Sequence, residues 1–316
     1  MNGNAAARQS LSEDAPSLRR DDLLGSYLVR PDPLDQRLSV EVEGSDQEGR
    51  AARTRVVVER ALTLYLNARE IVTMMTIGDH PTYLGLGYLL NQNMLPNASG
   101  VTAIDFDEEL DVVVVRTDAE TDFEDKLRKR TLTSGCAQGT AFGDLMEALD
   151  DIRLPATPIR TSWLHRLTHV INQTPSLYLE AGAIHGCVLC EEDRPLVYME
   201  DVGRHNAVDK IAGYMALHGV DPANKIFYTT GRLTSEMVIK TARMGVPTLV
   251  SRSGFTAWGV ELARKLGMTL IGRARGKRFV ALSGAERIRH DLDWAALPPE
   301  DPRHRRKGAG KGAGDE

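Results

Sequence analysis

The sequence predicts an α/β protein, with a layered mixed-sheet domain in its carboxyl-terminal half and a smaller α/β region ahead of it. Two observations carry the prediction. From Ala183 onward, short runs of β-branched and apolar residues alternate with segments of helical period, and strands alternating with helices build layered sheets. Between Arg55 and Thr117 the pattern has a period of two instead, interrupted by one short helical stretch. With 316 residues, 42% of them hydrophobic, the chain can bury one large core or two smaller ones.

In chain order, residues 1–50 are rich in Asp, Glu, Arg, Ser and Gly and poor in large apolar side chains, so they read as a tail. An amino-terminal α/β region spans 51–130. In it Val56, Val57 and Val58 and the alternating Ala61-Leu62-Thr63-Leu64-Tyr65-Leu66 read as strands, turned across Asn67-Ala68 into a hairpin with Ile71-Val72-Thr73-Met74-Met75. A short helix follows over 81–90, opened by Asp79, and 111–117 is a buried, valine-rich strand. Residues 131–163 hold a cysteine-bearing loop and a connecting helix, the latter marked by Phe142, Leu145, Met146 and Leu149 at helical spacing. The main domain spans 164–290 and opens with a helix through Leu164, Leu167, Val170 and Ile171. Strands at 184–190 and 196–199 precede a helix with Val208, Ile211, Ala212 and Met215 on one face, closed by Gly219. Strands at 225–229 and 247–251 lead into helices over 235–244 and 257–266, and a strand at 268–271 leads into an Arg/Gly turn. The basic, glycine-rich run 291–316 reads as a second tail.

Charge narrows the function classes. Thirty-nine basic and 44 acidic residues give a net charge of -5, too balanced for a general nucleic-acid or membrane-surface binder, so any anion site must be local. Residues 1–22 lack an apolar leader core, and the most apolar runs, such as 112–115, are far too short to span a bilayer. Three cysteines, without framework spacing, fit a reducing compartment, and a cytoplasmic protein is expected.

Cys136 stands in Thr131-Leu132-Thr133-Ser134-Gly135-Cys136-Ala137-Gln138-Gly139-Thr140, among small and hydroxylated residues. Gly135 and Gly139 permit a tightly turned, mobile loop, and Lys126, Arg128, Lys129 and Arg130 just before it favour thiolate over thiol. The pattern points to a reactive sulfur, with an inert thiol as the alternative. Where strands end and helices begin, glycine and basic residues recur: Gly203-Arg204-His205, Gly231-Arg232, Gly254-Phe255-Thr256, and Gly272-Arg273-Ala274-Arg275-Gly276-Lys277-Arg278. Singly, each is an ordinary turn with a solvated arginine. Together, at the carboxyl ends of strands in an open α/β sheet, they point to a phosphate-rich ligand. Neither a P-loop nor a complete dinucleotide fingerprint is present. Cys187-Val188-Leu189-Cys190 has redox or zinc spacing, but it lies within a predicted strand that sends its two side chains to opposite faces, so both read as small core residues. His185 and His205 suit acid-base work, ligation or structural hydrogen bonding alike.

Several of these segments together resemble the formate dehydrogenase accessory sulfurtransferases, the FdhD/NarQ family. The resemblance rests on Glu200-Asp201-Val202-Gly203-Arg204-His205-Asn206-Ala207-Val208-Asp209-Lys210, on Gly231-Arg232 with Ser235-Glu236-Met237-Val238 and Lys240, and on Gly245-Val246-Pro247-Thr248-Leu249-Val250-Ser251. The Gly272 to Arg278 turn, the Asn67 hairpin, the Cys136 loop and Gly182-Ala183-Ile184-His185 extend it. It implies a cytoplasmic, homodimeric sulfur carrier with a cytidine deaminase-like fold. Such a carrier accepts sulfur from a cysteine desulfurase as a Cys136 persulfide and passes it to a molybdenum bis(molybdopterin guanine dinucleotide) cofactor bound as substrate and destined for formate dehydrogenase. The Gly203, Gly231 and Gly272 turns, with their arginines, His205 and Lys277, would hold that cofactor's phosphates. No resident metal is expected, because His185-Gly186-Cys187 lacks the His-x-Glu glutamate of deaminase chemistry. The chain departs from the family where Gly139 replaces the usual second cysteine, at Asn67-Ala68 and Ala181-Gly182-Ala183, and at Arg273, where an aromatic residue is usual. Two rival readings remain, a cofactor-binding chaperone without sulfur transfer and a redox switch on Cys187 and Cys190.

Overall fold

The computed structural model describes residues 27–118, 149 and 151–297, so the Cys136 loop, the Phe142 to Met146 helix positions and most of both expected tails lie outside the described residues. The strand β1 (Ser39–Ser45) pairs antiparallel with β2 (Ala51–Val57), Val40 facing Val56 and Glu43 facing Arg53. The reading of 1–50 as a tail is thus corrected over 27–50. There, valine alternates with glutamate, and cross-strand pairs such as Arg53 Nη2–Glu43 Oε1 at 2.6 Å let a charge-rich segment hold a strand.

Next come β3 (Arg60–Leu66) and β4 (Arg69–Thr76), the hairpin turning at Asn67 with φ 54°, a left-handed conformation asparagine tolerates. The helix α1 (Pro81–Asn91), β5 (Val101–Asp107) and β6 (Val112–Thr117) complete a four-stranded sheet in the order β4-β3-β6-β5. On it, Leu84, Leu86 and Leu89 of α1 bury against Leu62, Leu64, Val113 and Val115. Asp79 does not open α1 as expected. His80 is the N-cap, at φ 49° and without a side-chain bond, Pro81 starts the first turn, and the Asp79 carboxylate turns instead to Lys210.

The second half runs β7 (Ile159–Arg160), α2 (Thr161–Gln173), α3 (Leu177–Glu180), β8 (His185–Glu191), β9 (Arg194–Asp201), α4 (Arg204–Leu217), β10 (Lys225–Thr229), α5 (Ser235–Arg243), β11 (Thr248–Ser251), α6 (Ala257–Lys265), β12 (Thr269–Arg275), β13 (Arg278–Ser283) and β14 (Ile288–Arg289). Its six-stranded sheet has the order β13-β12-β11-β10-β8-β9, with β10, β11 and β12 parallel and β8 and β13 antiparallel to their neighbours. The mixed α/β class is therefore the one observed. One face packs Phe227, Leu249 and Leu270 under α4, α5 and α6; the other packs Ile226, Val250 and Ile271 under α2. The edge of β9 is covered by residues 28–29, whose backbone bonds to Leu196 and Tyr198.

Helix α4 is buried almost all round because α1 crosses its outer side. The crossing is close: a Cβ on Gly87 would lie 1.8 Å from the Asp209 carbonyl oxygen, and one on Gly213 2.0 Å from that of Tyr83. Beside it, buried Lys210 sits between Asp201, 2.6 Å away, and Asp79, and donates to the Glu200 carbonyl at 2.9 Å. Asp209 takes Lys240 at 2.6 Å and Asn91 at 2.7 Å. These contacts lock the two halves together and fix the start of α4.

Candidate functional site

Strands β9, β10, β11 and β12 all end at one edge of the sheet, where α4, α5 and α6 begin. Neither Gly203 at the start of α4 nor Thr234 at the start of α5 caps its helix with a side chain, so amide donors and positive dipole ends face that edge.

The sequence-predicted residues divide there. Gly203, Arg204, His205, Gly231 and Arg232 come together: the Arg204 stem lies on Gly231, where a Cβ would meet Arg204 Cδ at 3.0 Å, and Arg232 is exposed. His185, at the start of β8, places Nδ1 3.4 Å from Thr230 Oγ1. Burial first, and then the neighbouring Arg204, His205 and Arg232, hold its imidazole below the usual histidine range. The expected turn over 272–278 is corrected: β12 continues to Arg275, the turn is Gly276-Lys277, and Arg278 opens β13. A register shift after Gly272 puts Arg273 at φ 53°, its amide bonded to the Ser253 carbonyl at 2.7 Å and its side chain exposed. Arg275 Nε donates to the Arg252 carbonyl at 3.1 Å. Ala274 is core, and Lys277 Nζ is engaged by the carbonyls of Trp294 and Leu297.

Arg252 was missed by sequence reasoning. It follows β11 as Arg232 follows β10, and that repetition was the available signal. Its guanidinium stacks on Tyr178, 5.4 Å from the ring centroid, and reaches Asn172 at 3.3 Å. Arg204, Arg232, Arg252, Arg273 and Arg275 form no ion pair with a described carboxylate. Five such cations at one edge, beside two uncapped helix starts, give that edge the charge and the donors that suit an anion.

Glu236 was also missed as a site residue. It stands in the first turn of α5, where the helix dipole favours its charge, with Oε2 3.0 Å from His205 Nε2. The remaining signature residues serve structure: the Glu200 carboxylate accepts the amides of Leu177 and Tyr178, each at 2.8 Å, and Asp201 accepts the Gly203 amide and the Asn206 side chain.

Cys187 and Cys190 are free, fully buried thiols that belong to opposite core faces. Burial pushes the Cys187 thiol up to about 12 and raises that of Cys190 as well, so neither offers thiolate at neutral pH. Among the described residues no group of three His, Cys, Asp or Glu side chains could hold a metal ion, and no helix is long and apolar enough to cross a membrane.

A family model described as the FdhD/NarQ family matches residues 57–289. The sulfur carrier protein FdhD of Bacillus pumilus is 30% identical over 240 residues, covering 74% of this chain and 90% of that protein. The sulfur carrier protein FdhD of Wolinella succinogenes is 30% identical over 237 residues, covering 74% and 82%. The crystal structure of a candidate formate dehydrogenase accessory protein from Desulfotalea psychrophila superposes with a TM-score of 0.66 at 28% identity, over 79% of this chain and 99% of that one.

Proposed function

The chain belongs to the FdhD/NarQ family, and on that premise we propose that it is a sulfur carrier for formate dehydrogenase. In this reading a cysteine desulfurase loads Cys136 with a persulfide, and the sulfur passes to a molybdenum bis(molybdopterin guanine dinucleotide) cofactor held as substrate. The observation that carries it is the arginine edge: Arg204, Arg232, Arg252, Arg273 and Arg275 beside the starts of α4 and α5 suit a ligand with several phosphates.

Loading needs only a thiolate. The Cys136 sulfur attacks the outer sulfur of the donor's persulfide, a new S–S bond forms, and the donor cysteine leaves as thiolate. Lys129 and Arg130, close in sequence, favour the attacking anion. With Gly139 in place of a second cysteine, release of that sulfur as sulfide draws two electrons from an outside reductant or the acceptor. The same substitution favours a second reading, a chaperone that binds the cofactor without moving sulfur. A switch on Cys187 and Cys190 lacks support, since these thiols are buried on opposite faces. A homodimeric, cytoplasmic protein accompanies the proposal.

Mass spectrometry after incubation with a cysteine desulfurase and cysteine tests it. One reducible extra sulfur is expected on the Cys136 peptide, absent in Cys136→Ala and retained in Cys187→Ala and Cys190→Ala. No added sulfur, under conditions that load a two-cysteine relative, would leave the chaperone reading.

A further inference from the structure

His205 is 4% exposed, yet its Nδ1 is buried without a partner among the described residues. Its Nε2 lies 3.0 Å from Glu236 Oε2, with the carboxylate off the axis that a well-directed ring N–H bond requires. Two further buried polar atoms nearby in the fold lack partners, Arg204 Nε in the first turn of α4 and Thr234 Oγ1 at the start of α5. Buried polar groups in folded proteins are nearly always paired, and a cluster of exceptions at helix starts marks atoms that await a ligand.

We propose that His205 and Glu236 form an acceptor subsite at this edge, in which Glu236 keeps the ring proton on Nε2 and Nδ1 accepts a hydrogen bond from an N–H or O–H group of an anionic ligand. The subsite rests on the anion-binding reading given above and adds to it the polarity of one ligand group. A carboxylate 3.0 Å from Nε2 attracts the proton to that nitrogen rather than to Nδ1. The charged or titratable groups around the ring are Arg204 on α4, Glu236 and Lys240 on α5, and His185 on β8; Lys240 is paired with Asp209. Burial, opposed by Glu236 and assisted by Lys240 and Arg204, holds the imidazole below its ordinary range, so the ring is neutral at pH 7 and retains an acceptor. Off-axis geometry of this kind tightens when a ligand arrives. Glu236 is the positioning residue, acting through His205.

Nitrogen NMR of the imidazole-labelled full chain reads the tautomer directly. Without ligand, His205 is expected as the Nε2–H tautomer at neutral pH, and Glu236→Gln is expected to show a mixture that Glu236→Asp restores. A protonated Nδ1 in the wild type, or a tautomer indifferent to Glu236→Gln, would overturn the assignment. With GDP as probe, the Nδ1 signal is expected to shift on binding, and His205→Gln to weaken calorimetric affinity by about tenfold, the effect of one lost hydrogen bond of ordinary strength. Equal affinity in a folded His205→Gln protein would also overturn it. Inosine diphosphate separates the donors: a loss in His205→Gln confined to GDP assigns the exocyclic amine, and equal losses assign a ring N–H or ribose hydroxyl. If the wild type binds no GDP, the guanine ligand proposed above fails, while the ligand-free tautomer still decides the dyad.

Discussion

At the residue scale, Lys210 shows how this site is held. Burial alone would pull its ammonium toward neutrality; Asp201 and Asp79 more than offset that pull, and the net displacement is upward. A raised lysine contributes stability that is complete below the unfolded value, about 10.4, and is lost only as pH rises through the higher folded one, so the cluster is intact at neutral pH. The pair is weak evidence for stability in itself, but breaking it strands two carboxylates, one of them fully buried. Lys210→Met is therefore expected to lose about 3–5 kcal/mol in denaturant unfolding, and a loss below about 1 kcal/mol would mean the carboxylates find other partners. The run 200–210 was legible in the sequence as a signature. Its division of labour was not, because Glu200, Asp201, Asp209 and Lys210 find their partners in distant segments, whereas Arg204 and His205 are left at the sheet edge.

At the scale of elements, sequence and structure agree best where a strand is buried on both faces. Lys225–Thr229 is such a strand, and its Ile-Phe-Tyr run left no other reading. They part where the signal is local and the cause is not. The strand β1 is charge-rich and gains its place from β2, while the Gly-Arg composition that suggests a turn after Ile271 instead belongs to a bulged strand paired with β13. Helix α2 gives a third case. Its start lacks a cap of its own; Asp291 supplies one from the far end of the chain, accepting the Ser162 amide at 3.0 Å, the Ser162 hydroxyl at 2.8 Å and the Thr161 hydroxyl at 3.1 Å. The Ser162 amide leads the contacts that hold the Asp291 carboxyl well below the usual range. A depressed carboxylate adds stability above its unfolded value and loses it as pH falls through the folded one. Asp291→Ala is expected to lower stability by about 1 kcal/mol, as other lost caps do, with the gap to the wild type full at pH 7 and narrowing in acid. Unfolding midpoints at several pH values measure it, and a gap that widens on acidification would contradict the capping role.

At the scale of the molecule, a chain of net charge -5 gathers five arginines at one sheet edge, none paired with a carboxylate among the described residues, so its field there opposes its overall sign. The topology produces this. Three parallel strands and β9 share a direction, so each loop that follows them delivers its residues to the same edge, and Gly-Arg turns far apart in sequence become neighbours. That much was legible from the alternation of strands and helices. The bonds of Lys277 to the Trp294 and Leu297 carbonyls and the packing of Ala274 in the core were not, because they depend on the carboxyl-terminal segment and the α2-side core. Exposed Arg232 and Arg273 should act mainly through long-range attraction, which salt screens: the Debye length falls from about 10 Å at 0.1 M to about 3 Å at 1 M. Affinity for GDP is therefore expected to fall as salt rises over that range. The double variant Arg232→Ala, Arg273→Ala should bind more weakly at low salt and show a flatter dependence, its affinity converging with the wild type at high salt. Arg53→Ala, on the β1–β2 ribbon, removes one positive charge from a paired position and should leave the curve unchanged. Parallel salt curves for the wild type and the double variant would show that these arginines do not face the bound anion.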